Sequence, residues 1–210
     1  MSFYELFLHN LQESTWTEGV AVFFGLLSVW FARKENILVY PTGIINVLLY
    51  VYICYHAGLY ADMGINAFYF VVSVYGWYNW ARVDQDKHHI PISRLSTKGW
   101  ILSSGGVLLF FVPIAFLLHE YTNSTVPVWD AFTTAIFIIS MWLMALKKIE
   151  NWLGWIIGDM LVIPLFFSKG LVLSSFQYVV FLILAVMGYI EWRNKLKHYN
   201  GNDKSSHHRT

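Results

Sequence analysis

The sequence predicts an all-α polytopic membrane protein of seven transmembrane helices in a 3+1+3 parallel-repeat arrangement. Three observations carry that prediction. The 210 residues are 57% hydrophobic and only 13% charged, against roughly 25% charge in a soluble domain. Seven apolar runs, at 16–32, 37–56, 58–81, 99–119, 129–146, 151–169 and 170–192, each approach the roughly 20 residues needed to cross a bilayer. All of the 14 lysines and arginines except Lys169 fall on one side when those runs are threaded up and down. The positive-inside rule then puts the N-terminus outside and the C-terminus in the cytoplasm. The runs are too long, and too little alternating, for barrel strands.

Each element has its own signature. Residues 1–15 form an N-terminal extracytoplasmic segment, with Glu5 and Glu13 but no lysine or arginine, unlike the basic start of a cleaved signal peptide. The first three-helix bundle is expected over 16–82. Its second helix carries Pro41 near the start and Asn46 near the middle; its third carries Asp62 at the outer end and Asn66 one turn deeper. A cytoplasmic loop and linking helix 4, with Pro113, occupy 83–128. The loop's His88-His89 pair has no further ligands at a zinc-like spacing. The second bundle spans 129–193, with Trp152, Trp155, Asp159 and Pro164 in its middle helix and Gln177 in its last. Residues 194–210 form a cytoplasmic polar tail, expected to be disordered from about 199.

The two bundles repeat one pattern. Asn46, Gly58-Leu59 and Gly76-Trp77-Tyr78-Asn79-Trp80 reappear as Asp159, Gly170-Leu171 and Gly188-Tyr189-Ile190-Glu191-Trp192, at an offset of 112–113. Three crossings invert the chain and the fourth turns it back. The second copy therefore enters in the orientation of the first, giving a pseudo-twofold axis along the membrane normal. On this alignment Asn46 and Asp159 are partners facing a central passage.

Polar groups at membrane depth mark a candidate substrate site. A carboxylate at the bilayer centre costs about 2.5–3.5 kcal/mol on insertion scales, and no lysine or arginine sits at the depth of Asp159. Asp159 is therefore either protonated, or faces water and awaits a cation. Trp155 lies one turn before it on the same face, and an aromatic plane beside a carboxylate suits a flat organic cation. Asn66 and Gln177 lie at matching depths, as ligand-binding amides or as interhelical hydrogen bonds. The expected substrate-binding set is Asn46, Asn66, Trp155, Asp159 and Gln177. Asp62, Trp77, Trp80 and Trp152 are candidates for a mouth or gate. Tyr75, Trp77, Trp80, Trp152 and Trp192 are alternatively anchors at the cytoplasmic interface.

Other functions find no support. The histidines lie at helix ends or in loops, and no Gly-x-Ser-x-Gly, Walker or metal-ligand motif is present. The expectation is no catalytic residue, no metal and no cofactor. The single cysteine, Cys54, excludes an intrachain disulfide, and a net charge of +1 gives no sign of a nucleic-acid partner. A membrane-embedded enzyme or sensor using the same cavity is the alternative of another class. It would need clustered histidines and carboxylates, or a larger output domain.

Several motifs resemble a known family. Leu59-Tyr60-Ala61, Tyr75-Gly76-Trp77-Tyr78-Asn79-Trp80, Val128-Trp129-Asp130 and Lys148-x-Glu150-Asn151-Trp152-x-x-Trp155 resemble the PnuC family of bacterial vitamin transporters, across nearly the whole chain. The resemblance implies a 3+1+3, SWEET-like fold, a homotrimer in the bacterial inner membrane, and uptake of nicotinamide riboside by facilitated diffusion. A cytoplasmic vitamin kinase then traps the substrate by phosphorylation. Two residues depart from the pattern: nicotinamide riboside members carry asparagine at the position of Asp159 and glutamine at that of Asn66. Asp62 resembles a thiamine-associated branch, PnuT. The expected function is uptake of a cationic vitamin or vitamin precursor, with nicotinamide riboside and thiamine both open.

Overall fold

The computed structural model describes residues 15–82, 90–122, 124–168 and 172–206. The N-terminal segment before Thr15, His88-His89, Lys169 and Gly170-Leu171 lie outside these. Among the described residues the chain forms seven helices: α1 (Trp16–Arg33), α2 (Val39–His56), α3 (Tyr60–Ala81), α4 (Thr97–Tyr121), α5 (Pro127–Ala145), α6 (Asn151–Ser168) and α7 (Val172–Ser206). No strand is formed among them, only an isolated bridge between Ser93 and Lys148.

Local chemistry sets the helix ends. Thr15 and Glu18 form a reciprocal capping box at the start of α1, with the Thr15 N–H donating to Glu18 Oε2 at 2.7 Å and Glu18 N–H to Thr15 Oγ1 at 3.2 Å. Pro127 opens α5, where its missing donor costs nothing. Pro41 is harmless for the same reason, in the first turn of α2. α2, α4, α5, α6 and Ser174–His198 of α7 are long and apolar enough to span a membrane. α1 and α3 fall short of that measure. α1 includes Glu18 and Arg33. α3 carries Asp62, Asn66, Ser73 and Asn79.

The polar tail departs from expectation. α7 continues to Ser206 rather than ending near 192. Leu196 is buried, and Lys195 Nζ meets Glu35 Oε2 at 3.0 Å and donates to the Lys34 carbonyl at 3.0 Å. These contacts hold the helix past its apolar stretch.

α1 packs on α2 and α7, α2 on α3, α3 on α5, α5 on α4 and α6, and α6 on α7. The contacts come in pairs 112 residues apart. The Trp80 indole N–H donates to the Met144 carbonyl at 3.1 Å, and that of Trp192 to the Ala32 carbonyl at 3.0 Å. Tyr40 meets Trp80 edge-on at 5.3 Å and 88°; Trp152 meets Trp192 at 5.6 Å and 88°. Asn79 donates to the Ala145 carbonyl, while Glu191 pairs with Arg33 at 3.3 Å. Tyr40, Trp80, Trp152 and Trp192 thus form a buried aromatic seal at the end of the molecule bearing Arg33, Lys34, Lys147 and Lys148. The interfacial role expected for Trp80, Trp152 and Trp192 is overturned: they are at most 3% exposed. Their rings find neighbours across the bundle, which the end of a lone helix does not offer. Trp77 remains at the surface.

Glycine makes that seal possible. A Cβ on Gly188 would meet the Trp152 ring at 2.6 Å, and one on Gly76 would overlap the Tyr40 ring. Gly188→Ala should therefore destabilise the protein by about 1–3 kcal/mol, the usual cost of overpacking, whereas Gly64→Ala, with open space around it, should not. Thermal unfolding in detergent checks this.

The turns after α1 and α5 are also a matched pair. Glu35 (φ 58°) and Lys147 (φ 52°) both adopt the left-handed conformation. In each turn the next N–H reaches back five residues, Asn36 to Phe31 and Lys148 to Leu143, both at 2.9 Å. The two side chains meet, Lys147 Nζ to Glu35 Oε1, at 2.9 Å. Lys147 also donates to the Ile90 carbonyl at 2.8 Å and lies 4.7 Å from the Trp80 ring centroid.

Candidate functional site

The site is built around α6. Asp159 is 2% exposed, and among the described residues no lysine or arginine forms an ion pair with it. Trp155 lies one turn earlier, half-buried against the edge of the seal. Its indole N–H is buried without a hydrogen-bond partner among the described residues. Leaving such a donor unmet costs about 1–3 kcal/mol, so the cluster holds both an unpaired carboxylate and an unused donor.

Aromatic side chains from three helices surround this pair. Phe137 of α5 stacks on Trp155, with centroids 5.3 Å apart and planes at 26°, and on Tyr178 of α7 at 6.1 Å and 12°. Its ring lies against Gly158, where a Cβ would overlap it. Tyr178 is within electrostatic reach of Asp159 and meets Phe166 and Phe181 edge-on at 5.3 and 5.8 Å.

The other expected site residues divide. Gln177 lies beside the Tyr50 side chain of α2, next to this cluster. The Asn46 amide donates to the Ala21 carbonyl at 2.7 Å and rests over Gly25, which also faces Phe181. Phe181 thereby links the Asn46 region to Tyr178. Asn66 donates back to the Asp62 carbonyl of its own helix at 2.9 Å, and Asp62 is exposed in the first turn of α3. Trp80 and Trp152 belong to the seal, and Trp77 to the surface. A surface groove of about 330 Å³, lined by Phe111, Val128, Trp129 and Phe132, contains none of these residues.

The pairing of Asn46 with Asp159 needs correction. The packed contacts keep an offset of 112, which sets Gly158 opposite Asn46 and Val47 opposite Asp159. One residue is about 100° around a helix of 3.6 residues per turn. Aligning the polar residues selected similar chemistry; the contacts select position. At the offset of 112 the glycine and the residue that covers it exchange places. Asn46 of α2 covers Gly25 of α1, while Phe137 of α5 covers Gly158 of α6. Phe137, Tyr178, Tyr50 and Phe181 were not foreseen. The exchange of glycine and bulky residue at 25/137 and 46/158 was the visible signal for Phe137.

Comparison with known proteins places the chain. The family model for the nicotinamide mononucleotide transporter matches residues 15–194. The nicotinamide riboside transporter PnuC of Escherichia coli (strain K12) is 29% identical over 208 residues, 87% of each chain. The riboflavin/roseoflavin transporter RibM of Streptomyces davaonensis is 24% identical, over 90% of this chain and 89% of that one. A crystal structure of the vitamin B3 transporter PnuC superposes with a TM-score of 0.71 at 27% identity, covering 93% of this chain and 90% of the other. With the family model spanning most of the sequence and the same fold in a solved relative, the chain belongs to the PnuC family of membrane transporters and is a multi-pass protein of the bacterial inner membrane.

Proposed function

We propose that this protein takes up a cationic vitamin or vitamin precursor by facilitated diffusion, with nicotinamide riboside the first candidate. The observation that carries the reading is Asp159: a buried carboxylate with no basic partner among the described residues, one turn from the Trp155 ring. A flat cationic ring answers both, by charge pairing and by stacking. The E. coli relative, named for nicotinamide riboside, supports the choice. Thiamine is the second reading, favoured by the carboxylate at 159 where asparagine is the nicotinamide riboside pattern. Trapping through phosphorylation by a cytoplasmic vitamin kinase would keep the gradient inward.

The 3+1+3 architecture is part of the proposal. The paired contacts support it: exchanging α1–α3 with α5–α7 maps the α1–α7 contact onto α5–α3, and the Trp80–Met144 hydrogen bond onto Trp192–Ala32. The expected orientation makes the sealed, basic end cytoplasmic. This conformation is then closed inward, and transport requires the two bundles to part at the seal after closing outside. α4 lies outside both bundles with no buried residue. Its exposed Ile101, Leu108, Val112 and Phe116 leave an apolar face for lipid or for the homotrimer that the family resemblance implies.

Uptake of labelled nicotinamide riboside and thiamine into proteoliposomes tests the function. We expect saturable uptake of one of them. An inside-negative potential should speed it, and an imposed proton or sodium gradient at fixed potential should not. Transport of neither overturns the proposal, and dependence on an ion gradient overturns facilitated diffusion.

A further inference from the structure

We propose that Phe137 is the resident occupant of the ring-binding slot. Its phenyl ring holds the place that a flat aromatic ligand would take against Trp155. This assignment rests on the proposed ligand class and deepens it, by naming the side chain with which the ligand competes.

The geometry supports competition rather than a simple wall. Trp155, Phe137 and Tyr178 form one near-parallel stack across α6, α5 and α7, at 5.3 and 6.1 Å. Both spacings lie within the 4.5–7 Å typical of aromatic pairs in contact. Neither gap therefore admits another ring until Phe137 moves. The phenyl ring lies on Gly158, the residue before Asp159. A ring stacked on Trp155 and reaching Asp159 would occupy that same ground. Phe137 is also an imperfect tenant, because it brings no charge to Asp159 and no acceptor to the buried Trp155 N–H. A cationic ligand with a polar substituent supplies both, so it can displace a side chain that matches it only in shape.

Displacement has a thermodynamic consequence. Apparent affinity is reduced by the fraction of molecules in which the slot is already vacant. A smaller residue at 137 raises that fraction, and a larger one lowers it. Binding should therefore tighten as the side chain shrinks, whereas a residue forming a wall of the site shows the reverse.

Isothermal titration of the purified full-length protein in detergent reads this directly. The ligands are nicotinamide riboside, thiamine and N-methylpyridinium, a bare aromatic cation that needs the slot but not the rest of a vitamin. The variants are Phe137→Ala, Phe137→Leu and Phe137→Trp, each checked by thermal unfolding. Affinity should fall in the order Ala, Leu, wild type, Trp, with Phe137→Ala about fivefold tighter or more, as loss of a competing aromatic stack implies. The reverse order, or equal affinity across the series, overturns the assignment. If Phe137→Ala does not fold, Leu and Trp still bracket the wild type and decide the order. Wild-type protein that binds neither vitamin defeats the proposed substrate. The N-methylpyridinium series then judges Phe137 alone, and a flat or absent response there rejects it.

Discussion

Asparagine in place of Asp159 should weaken binding of the cationic vitamin by about tenfold to a hundredfold, the range expected for a lost hydrogen bond to a charged group worth roughly 1.5–3 kcal/mol. The two side chains have nearly the same shape, so packing around Gly158 and Val162 is preserved. A neutral ligand of similar outline, the dihydro form of nicotinamide riboside, should bind the variant and the wild type alike. Stability should move the other way. A buried carboxylate without a basic partner is costly in a membrane, and the amide relieves that cost, so the variant should unfold at the same temperature or higher. Titration calorimetry and thermal unfolding on one preparation test both signs. A less stable variant with unchanged affinity would make Asp159 a structural residue.

Lys147→Met is expected to have the largest effect on stability. The Lys147 and Glu35 side chains are 5% and 11% exposed and meet at 2.9 Å, so solvent screens them little. Removing one partner of a buried pair costs about 3–5 kcal/mol, mostly from the charge left behind. Here Lys195, also within 3.0 Å of Glu35, should hold the loss to the lower end of that range. The double variant Glu35→Gln with Lys147→Met should recover part of it, because neither buried charge is then stranded. Chemical or thermal unfolding of the two single variants and the double variant gives the coupling. Strictly additive losses would show that the pair does not act as a unit.

The helices were legible in the sequence because each depends on a local property. Apolar run length marked all seven. α7 was misjudged at its C-terminal end for the opposite reason. Lys195 and Leu196 are held by α1, its following turn and the aromatic core, contacts with no trace in the local composition. The repeat was visible, and its glycine and tryptophan motifs already stood 112 residues apart; the Asn46–Asp159 pairing, at 113, did not keep that register. Asn46 and Asp159 look alike chemically, and packed pairs such as Tyr40–Trp80 and Trp152–Trp192 keep the offset at 112. The core of the candidate site followed the same division. Asp159 and Trp155 announce themselves by charge and by spacing on one helix. Phe137 and Tyr178 look like ordinary apolar filler until three helices bring their rings into one stack.

The ion pair between Glu35 and Lys147 also bears on how such a chain could arise and persist. Two separate copies of residues 16–82, assembled through the same surface, would set Glu35 against Glu35; two copies of residues 129–193 would oppose lysine to lysine. Like charges at this separation repel as strongly as the present pair attracts. Either half, made alone, would therefore be discouraged from mating with itself. Opposite signs at the two left-handed turns favour one half joining the other, and a single polypeptide enforces that one-to-one match at synthesis.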